Sequence, residues 1–126
     1  RTSLPRLALP GDLLAALDAS RRRLGVDSID LYQIHAPLVA ASAEAVGDAL
    51  AEAVLSGRCK AVGVSNYALD ELLPLQRRLE KRGLSLASNQ VEFSLLRQLP
   101  ETSGLMAACR DMGIGTIAYS PLAMGR

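Results

Sequence analysis

The sequence predicts an α/β fold of parallel strands, in the form of about half a (β/α)8 barrel of the TIM type. Three observations predict it. Four short apolar runs alternate with longer segments of 3.6-residue apolar period, the pattern of successive βα units. The runs start near residues 29, 60, 86 and 115, spacings of 31, 26 and 29 that each fit one such unit. Each run also ends in polar residues, as expected where the C-terminal ends of barrel strands share one face.

In chain order, Pro10-Gly11-Asp12 leads into a first helix carrying Leu13, Leu14, Leu17 and Leu24 and ending at Gly25. Asp12 is the expected N-cap, and Arg21, Arg22 and Arg23 sit near the negative end of the helix dipole as a solvated face. Ile29 to His35 reads as the first strand. A second helix starts near Ser42, places Val46, Leu50 and Val54 on one face, and closes at Gly57. Lys60 to Asn66 is the second strand and Leu69 to Arg82 the third helix, in which Pro74 is expected to make a kink or mark the true start. Leu86 to Phe93 is the third strand, followed by a helix over about Thr102 to Met112. Gly115 to Ser120 is the fourth strand, closed by Pro121.

An open doubly wound sheet would use the same units, but no G-x-G-x-x-G turn follows the first strand or occurs elsewhere. A barrel explains why His35, Ser65-Asn66, Gln90 with Glu92, and Tyr119-Ser120 all fall at strand ends. A full barrel takes about 250 residues, so 126 residues with four strands amount to half of one, with two open edges that favour association. The chain opens on Arg1 and stops at Gly125-Arg126, and it reads as cut from something longer.

Composition excludes several classes of function. The 14 Lys and Arg nearly balance the 13 Asp and Glu, giving a formal charge of +1, so no basic surplus is available to neutralise phosphates and nucleic acid is disfavoured as a partner. No apolar run approaches the roughly 18 residues of a membrane span. Cys59 and Cys109 lie 50 positions apart without Cys/His clustering, which indicates neither a metal site nor a disulfide framework and fits a reducing compartment.

Four segments, LYQIHAP around His35, KAVGVSNY from Lys60 to Tyr67, ASNQVEFSLL from Ala87 to Leu96 and IAYSPLAMG from Ile117 to Gly125, resemble in order and spacing strands four to seven of the aldo-keto reductases. The wording is most similar to the plant and algal plastid members. The resemblance implies hydride transfer between a nicotinamide cofactor and a small aldehyde or ketone, in the cytoplasm or a plastid. It implies that His35 belongs to the catalytic tetrad and orients the substrate carbonyl. Ser65 and Asn66, which between them donate and accept hydrogen bonds, would hold the nicotinamide carboxamide together with Gln90. Tyr119 would stack on the nicotinamide ring, and Ser120 and Leu122 would contact the pyrophosphate. NADP is the expected cofactor, with NAD left open because the family's 2′-phosphate loop would lie beyond Arg126.

Each residue also has a plainer reading. His35 could be a core histidine bonded to backbone, and Ser65 or Asn66 could cap the third helix. Tyr119 could simply fill space, and Glu92 could pair with Arg97. For Asn89-Gln90, two polar side chains in a buried strand would be costly without partners, which argues against a purely structural role. The family's proton-donating Tyr, with its Lys and Asp, would sit on earlier strands, and the 28 residues before Ile29 hold no Tyr and no Lys. Tyr32 is three residues from His35, which puts it on the opposite face of the strand. Lys60 begins its strand, far from the reactive end, and Lys81 ends a helix. The 126 residues alone are therefore expected to be inactive. The rival readings are a cofactor-sensing module without catalysis, a truncated product without function, and a different barrel enzyme using His35 and Glu92 as acid and base.

Overall fold

The structure, a computed structural model, describes residues 10–125. It contains α1 (Pro10–Leu24), β1 (Ile29–Ile34), α2 (Ala43–Leu55), β2 (Cys59–Ser65), α3 (Leu69–Glu80), β3 (Ser88–Glu92), α4 (Leu99–Thr102), α5 (Leu105–Asp111), β4 (Gly115–Tyr119) and a 3-10 turn over Ala123–Gly125. The four strands form one parallel sheet in the order β1-β2-β3-β4. The predicted succession of βα units is present, and β1 and β4 are its outer strands.

Alternation along the strands separates two faces. One carries Ile34, Val62, Val64 and Val91 and is covered by helices, whose Leu13, Leu17, Leu50, Leu72, Leu75 and Leu79 are buried with them. The other carries Leu31, Gln33, Ser65, Gln90 and Ile117. Leu31 and Ile117 are exposed there, because no described helix covers this face. The covered face supplies the core, and the open face carries the polar side chains near the strand ends.

Local chemistry sets the element ends. The hydroxyl of Ser42 accepts from the amide of Ala45 at 3.1 Å and starts α2; Gly25 and Gly57 take the left-handed conformation that terminates α1 and α2. Three expectations are corrected. Asp12 lies within the first turn of α1, which begins at Pro10, where a carboxylate still complements the dipole. Pro74 neither starts nor ends α3; it sits in the second turn, so its missing N–H deprives only the Asp70 carbonyl of an intrahelical partner. The fourth helix is two short ones, because Pro100 starts a turn early and Gly104, at φ 81°, breaks the chain before Leu105.

Candidate active site

Strand register brings the open-face residues into rows. Gln33, Gly63, Ser88 and Gly115 are successive neighbours across the sheet, and the next row joins Ser65, Gln90 and Ile117. The row nearest the C-terminal rim pairs Glu92 with Tyr119. His35, one step past β1, continues the face of Gln33. Gln33, His35, Ser65, Asn66, Gln90 and Tyr119 line one open hollow of about 530 Å³ with Ile34.

The tips of β2 and β3 are bonded at several points. The carbonyl of Gln90 accepts from the Ser65 hydroxyl at 2.8 Å and from the Asn66 amide at 2.9 Å. Asn66 has φ 60°, in the left-handed region, which Asn tolerates better than most residues. Strict alternation would send its side chain towards the helices; the turn instead brings it to the hollow. There its Nδ2 donates to the Ser65 hydroxyl at 3.3 Å, and its Oδ1 accepts from the Tyr119 hydroxyl at 2.9 Å. Ser120, at φ 50°, ends β4 with a similar turn.

On the helix side of the same strand, Asn89 is buried and its Nδ2 donates to the Tyr67 carbonyl at 3.0 Å. Its Oδ1 has no hydrogen-bond partner among the described residues. The Asn89-Gln90 pair that sequence reasoning flagged as costly thus divides its work: Asn89 anchors the chain beyond Asn66, and Gln90 faces the hollow.

Sequence reasoning missed Gln33. Its Nε2 donates to Gln90 Oε1 at 3.2 Å, and its Oε1 accepts from the Ser88 hydroxyl at 2.8 Å. Two-residue spacing from His35 was the available signal. Gly63 makes the room: a Cβ there would lie 2.3 Å from the Ser88 hydroxyl oxygen and 3.2 Å from Gln33 Cγ.

Other residues are placed elsewhere. Ser120 and Leu122 follow β4 and do not line the hollow; Leu122 is exposed. Neither Ser65 nor Asn66 caps α3. Ala68 occupies that position, and its amide donates to the Glu71 carboxylate at 2.9 Å. Glu92 pairs with Arg97 at 3.2 Å, and the two line a neighbouring cavity of about 350 Å³ rather than the hollow with His35, which disfavours an acid–base pair of His35 and Glu92. Tyr32 turns towards the helices, its hydroxyl donating to the Leu13 carbonyl at 3.4 Å, and burial raises its pKa. Tyr67 is buried, and this too pushes its phenol up. Lys60 pairs with Asp30 at the opposite end of the strands, and Lys81 caps α3. Among the described residues, no group of three His, Cys, Asp or Glu side chains could hold a metal ion.

Parallel strands whose polar C-terminal tips converge on one hollow define a portion of a β/α-barrel protein with its site at the mouth. The profile of the Aldo/keto reductase family matches residues 5–126, and the chain belongs to that family. It is 36% identical over 121 residues to the chloroplastic pyridoxal reductase of Arabidopsis thaliana, covering 91% of this chain and 32% of that one. It is 35% identical over 125 residues to the NADPH-dependent alpha-keto amide reductase of Saccharomyces cerevisiae, covering 94% and 38%. A thermostable aldo-keto reductase crystallised with the inhibitor epalrestat superposes with a TM-score of 0.84 at 32% identity, covering 97% of this chain and 43% of that one. The chain thus spans about a third of the length of these curated relatives.

Proposed function

We propose that residues 1–126 are part of the oxidoreductase domain of an NADP(H)-dependent aldo-keto reductase acting on a small carbonyl compound, and that the hollow is the nicotinamide side of its active site. The observation that carries this reading is the convergence of His35, Ser65, Asn66, Gln90 and Tyr119 on one hollow from four strands.

The side chains fit the group. A carboxamide both donates and accepts, and the Ser65 hydroxyl with the Asn66 and Gln90 amides offers both kinds of partner. Tyr119 supplies a flat aromatic face beside them. The cofactor, when bound, supplies the hydride for carbonyl reduction. This chain's part is to position: Ser65, Asn66 and Gln90 hold the carboxamide, Tyr119 covers one ring face, and the exposed imidazole of His35 directs the substrate carbonyl. Ser120 and Leu122, on the turn past β4, would hold the pyrophosphate.

NADP(H) rather than NAD(H) is favoured by the family and by the yeast relative, whose name specifies NADPH. The free, buried Cys59 and Cys109 favour a reducing compartment, the cytoplasm or a plastid. No described helix is long and apolar enough to cross a membrane. Proton donation is not assigned to these residues: Tyr32 and Tyr67 are turned away, the Tyr119 hydroxyl is engaged by Asn66, and both lysines are remote from the hollow. The 126 residues alone therefore carry no reductase turnover.

The test is the fluorescence of NADPH titrated into the protein and into Asn66→Ala and Tyr119→Ala. Quenching or a spectral shift in the parent, weakened in both variants, supports the reading. Unaltered binding in both variants overturns it.

A further inference from the structure

We infer that Gln33 is a positioning residue that sets which end of the Gln90 amide faces the cofactor; this rests on the nicotinamide reading of the hollow. The hydrogen bonds run in one direction, from the Ser88 hydroxyl to Gln33 Oε1 at 2.8 Å and from Gln33 Nε2 to Gln90 Oε1 at 3.2 Å. Because Gln90 Oε1 is used as an acceptor, the Gln90 Nε2 donors are the end presented to the hollow. A side-chain amide is nearly symmetric in shape, so packing alone cannot choose between its two orientations, whereas a neighbour that turns its donors towards one end can.

The surroundings are built for this chain of bonds. Gln33, Gly63 and Ser88 are register neighbours, and Gly63 is the position where a Cβ would collide with the Ser88 hydroxyl at 2.3 Å and crowd Gln33 Cγ at 3.2 Å. An apolar residue at 33 would leave Gln90 free to turn and its Oε1 unpaired. The carboxylate of Glu at 33, of nearly the same shape, only accepts, so it would draw the Gln90 Nε2 towards itself and present the oxygen to the hollow.

The experiment uses Gln33→Leu, Gln33→Glu, Gln90→Ala and the double variant Gln33→Leu/Gln90→Ala. NADPH and 2′-phospho-ADP-ribose, which lacks the nicotinamide ring, are both titrated. The expected result is NADPH binding about five- to tenfold weaker in each Gln33 variant, the size of one lost hydrogen bond. The ring-free analogue should be unaffected, and Gln33→Leu should add no further loss once Gln90 is Ala. Equal weakening of both ligands, or a full loss in the Gln90→Ala background, would overturn the inference, since Gln33 would then act on the fold. A second readout needs no ligand: in side-chain amide NMR, the Gln33 amide protons should be protected in the parent and the Gln90 amide protons in Gln33→Glu. Gln33 amide protons exchanging like those of free glutamine would overturn the inference whatever the cofactor does. Normal NADPH binding by Gln90→Ala would instead strike at the nicotinamide reading itself.

Discussion

The Tyr119 hydroxyl donates to Asn66 Oδ1 over 2.9 Å and so ties the tip of β4 to the tip of β2 across β3. That bond gives the two side chains of the hollow a shared orientation: the tyrosine ring cannot swing without releasing the amide. Tyr119→Phe keeps the ring and loses the bond, whereas Tyr119→Ala loses both. NADPH titration should show Tyr119→Phe weakened by less than about tenfold, one hydrogen bond's worth, and Tyr119→Ala weakened further by the lost stacking. Equal affinities for the two variants would show that the ring contributes nothing.

Asn66 holds φ 60°, a conformation that disfavours a Cβ by about 1–2 kcal/mol. Asn66→Gly should therefore fold with stability within about 1 kcal/mol of the parent while binding NADPH poorly, because the backbone turn survives and the amide does not. Asn66→Val should lose both. Urea unfolding beside the titration separates the two effects; a large destabilisation by glycine would show that the amide mainly holds the fold.

The strands were legible in the sequence because their β-branched and small apolar runs match a sheet buried on one face, and their polar ends were legible because polar side chains beside Val64 and Val91 are costly to bury without partners. Each strand end was overrun by a residue, at His35, Asn66, Phe93 and Ser120; at Asn66 and Ser120 the left-handed turns leave no periodic mark. Gln33 stayed hidden because a single polar residue in a strand looks like any solvent-facing position; its role depends on Gly63 and Ser88, which only the register brings beside it. The cap of α3 left no mark for a related reason. Ala68 has no capping side chain, and its amide is satisfied by Glu71 from within the helix.

At Gly47, α2 packs tightly against α3. A Cβ there would lie 2.6 Å from Arg78 Cγ and 2.9 Å from Arg78 Cβ, and the latter cannot move without the α3 backbone. Gly47→Ala should destabilise the chain by about 1–3 kcal/mol through overpacking, despite the better helix propensity of Ala. The denaturation midpoint checks this; an unchanged or raised midpoint would mean that the helices slide apart freely.

Beside it, Arg78 donates to both oxygens of Asp48, at 3.0 and 2.8 Å, and Arg82 adds a third bond at 2.9 Å. The hydrogen bond from Arg78 holds the Asp48 carboxyl below its ordinary value of 3.8. A carboxyl depressed in the folded state favours folding above pH 3.8, and that contribution disappears as pH falls from 3.8 through the folded value. Arg78→Leu should therefore flatten the fall of stability with pH in this acid window and leave its slope near neutrality unchanged. Parallel acid titrations of parent and variant would refute the coupling.

Asn89 reaches the hollow without touching it. Its Nδ2 bond to the Tyr67 carbonyl at 3.0 Å fixes the chain one residue beyond Asn66, and Asn89 itself is buried. Removing the donor leaves that carbonyl unpaired, a cost of about 1–3 kcal/mol, and frees the turn that aims the Asn66 amide. Asn89→Ala should accordingly lose stability and bind NADPH more weakly. Asn89→Asp should do worse, since at neutral pH it replaces a buried donor with an acceptor facing a carbonyl. Stability loss with unchanged NADPH affinity in Asn89→Ala would mean that Asn66 is held by its Gln90 and Tyr119 bonds alone.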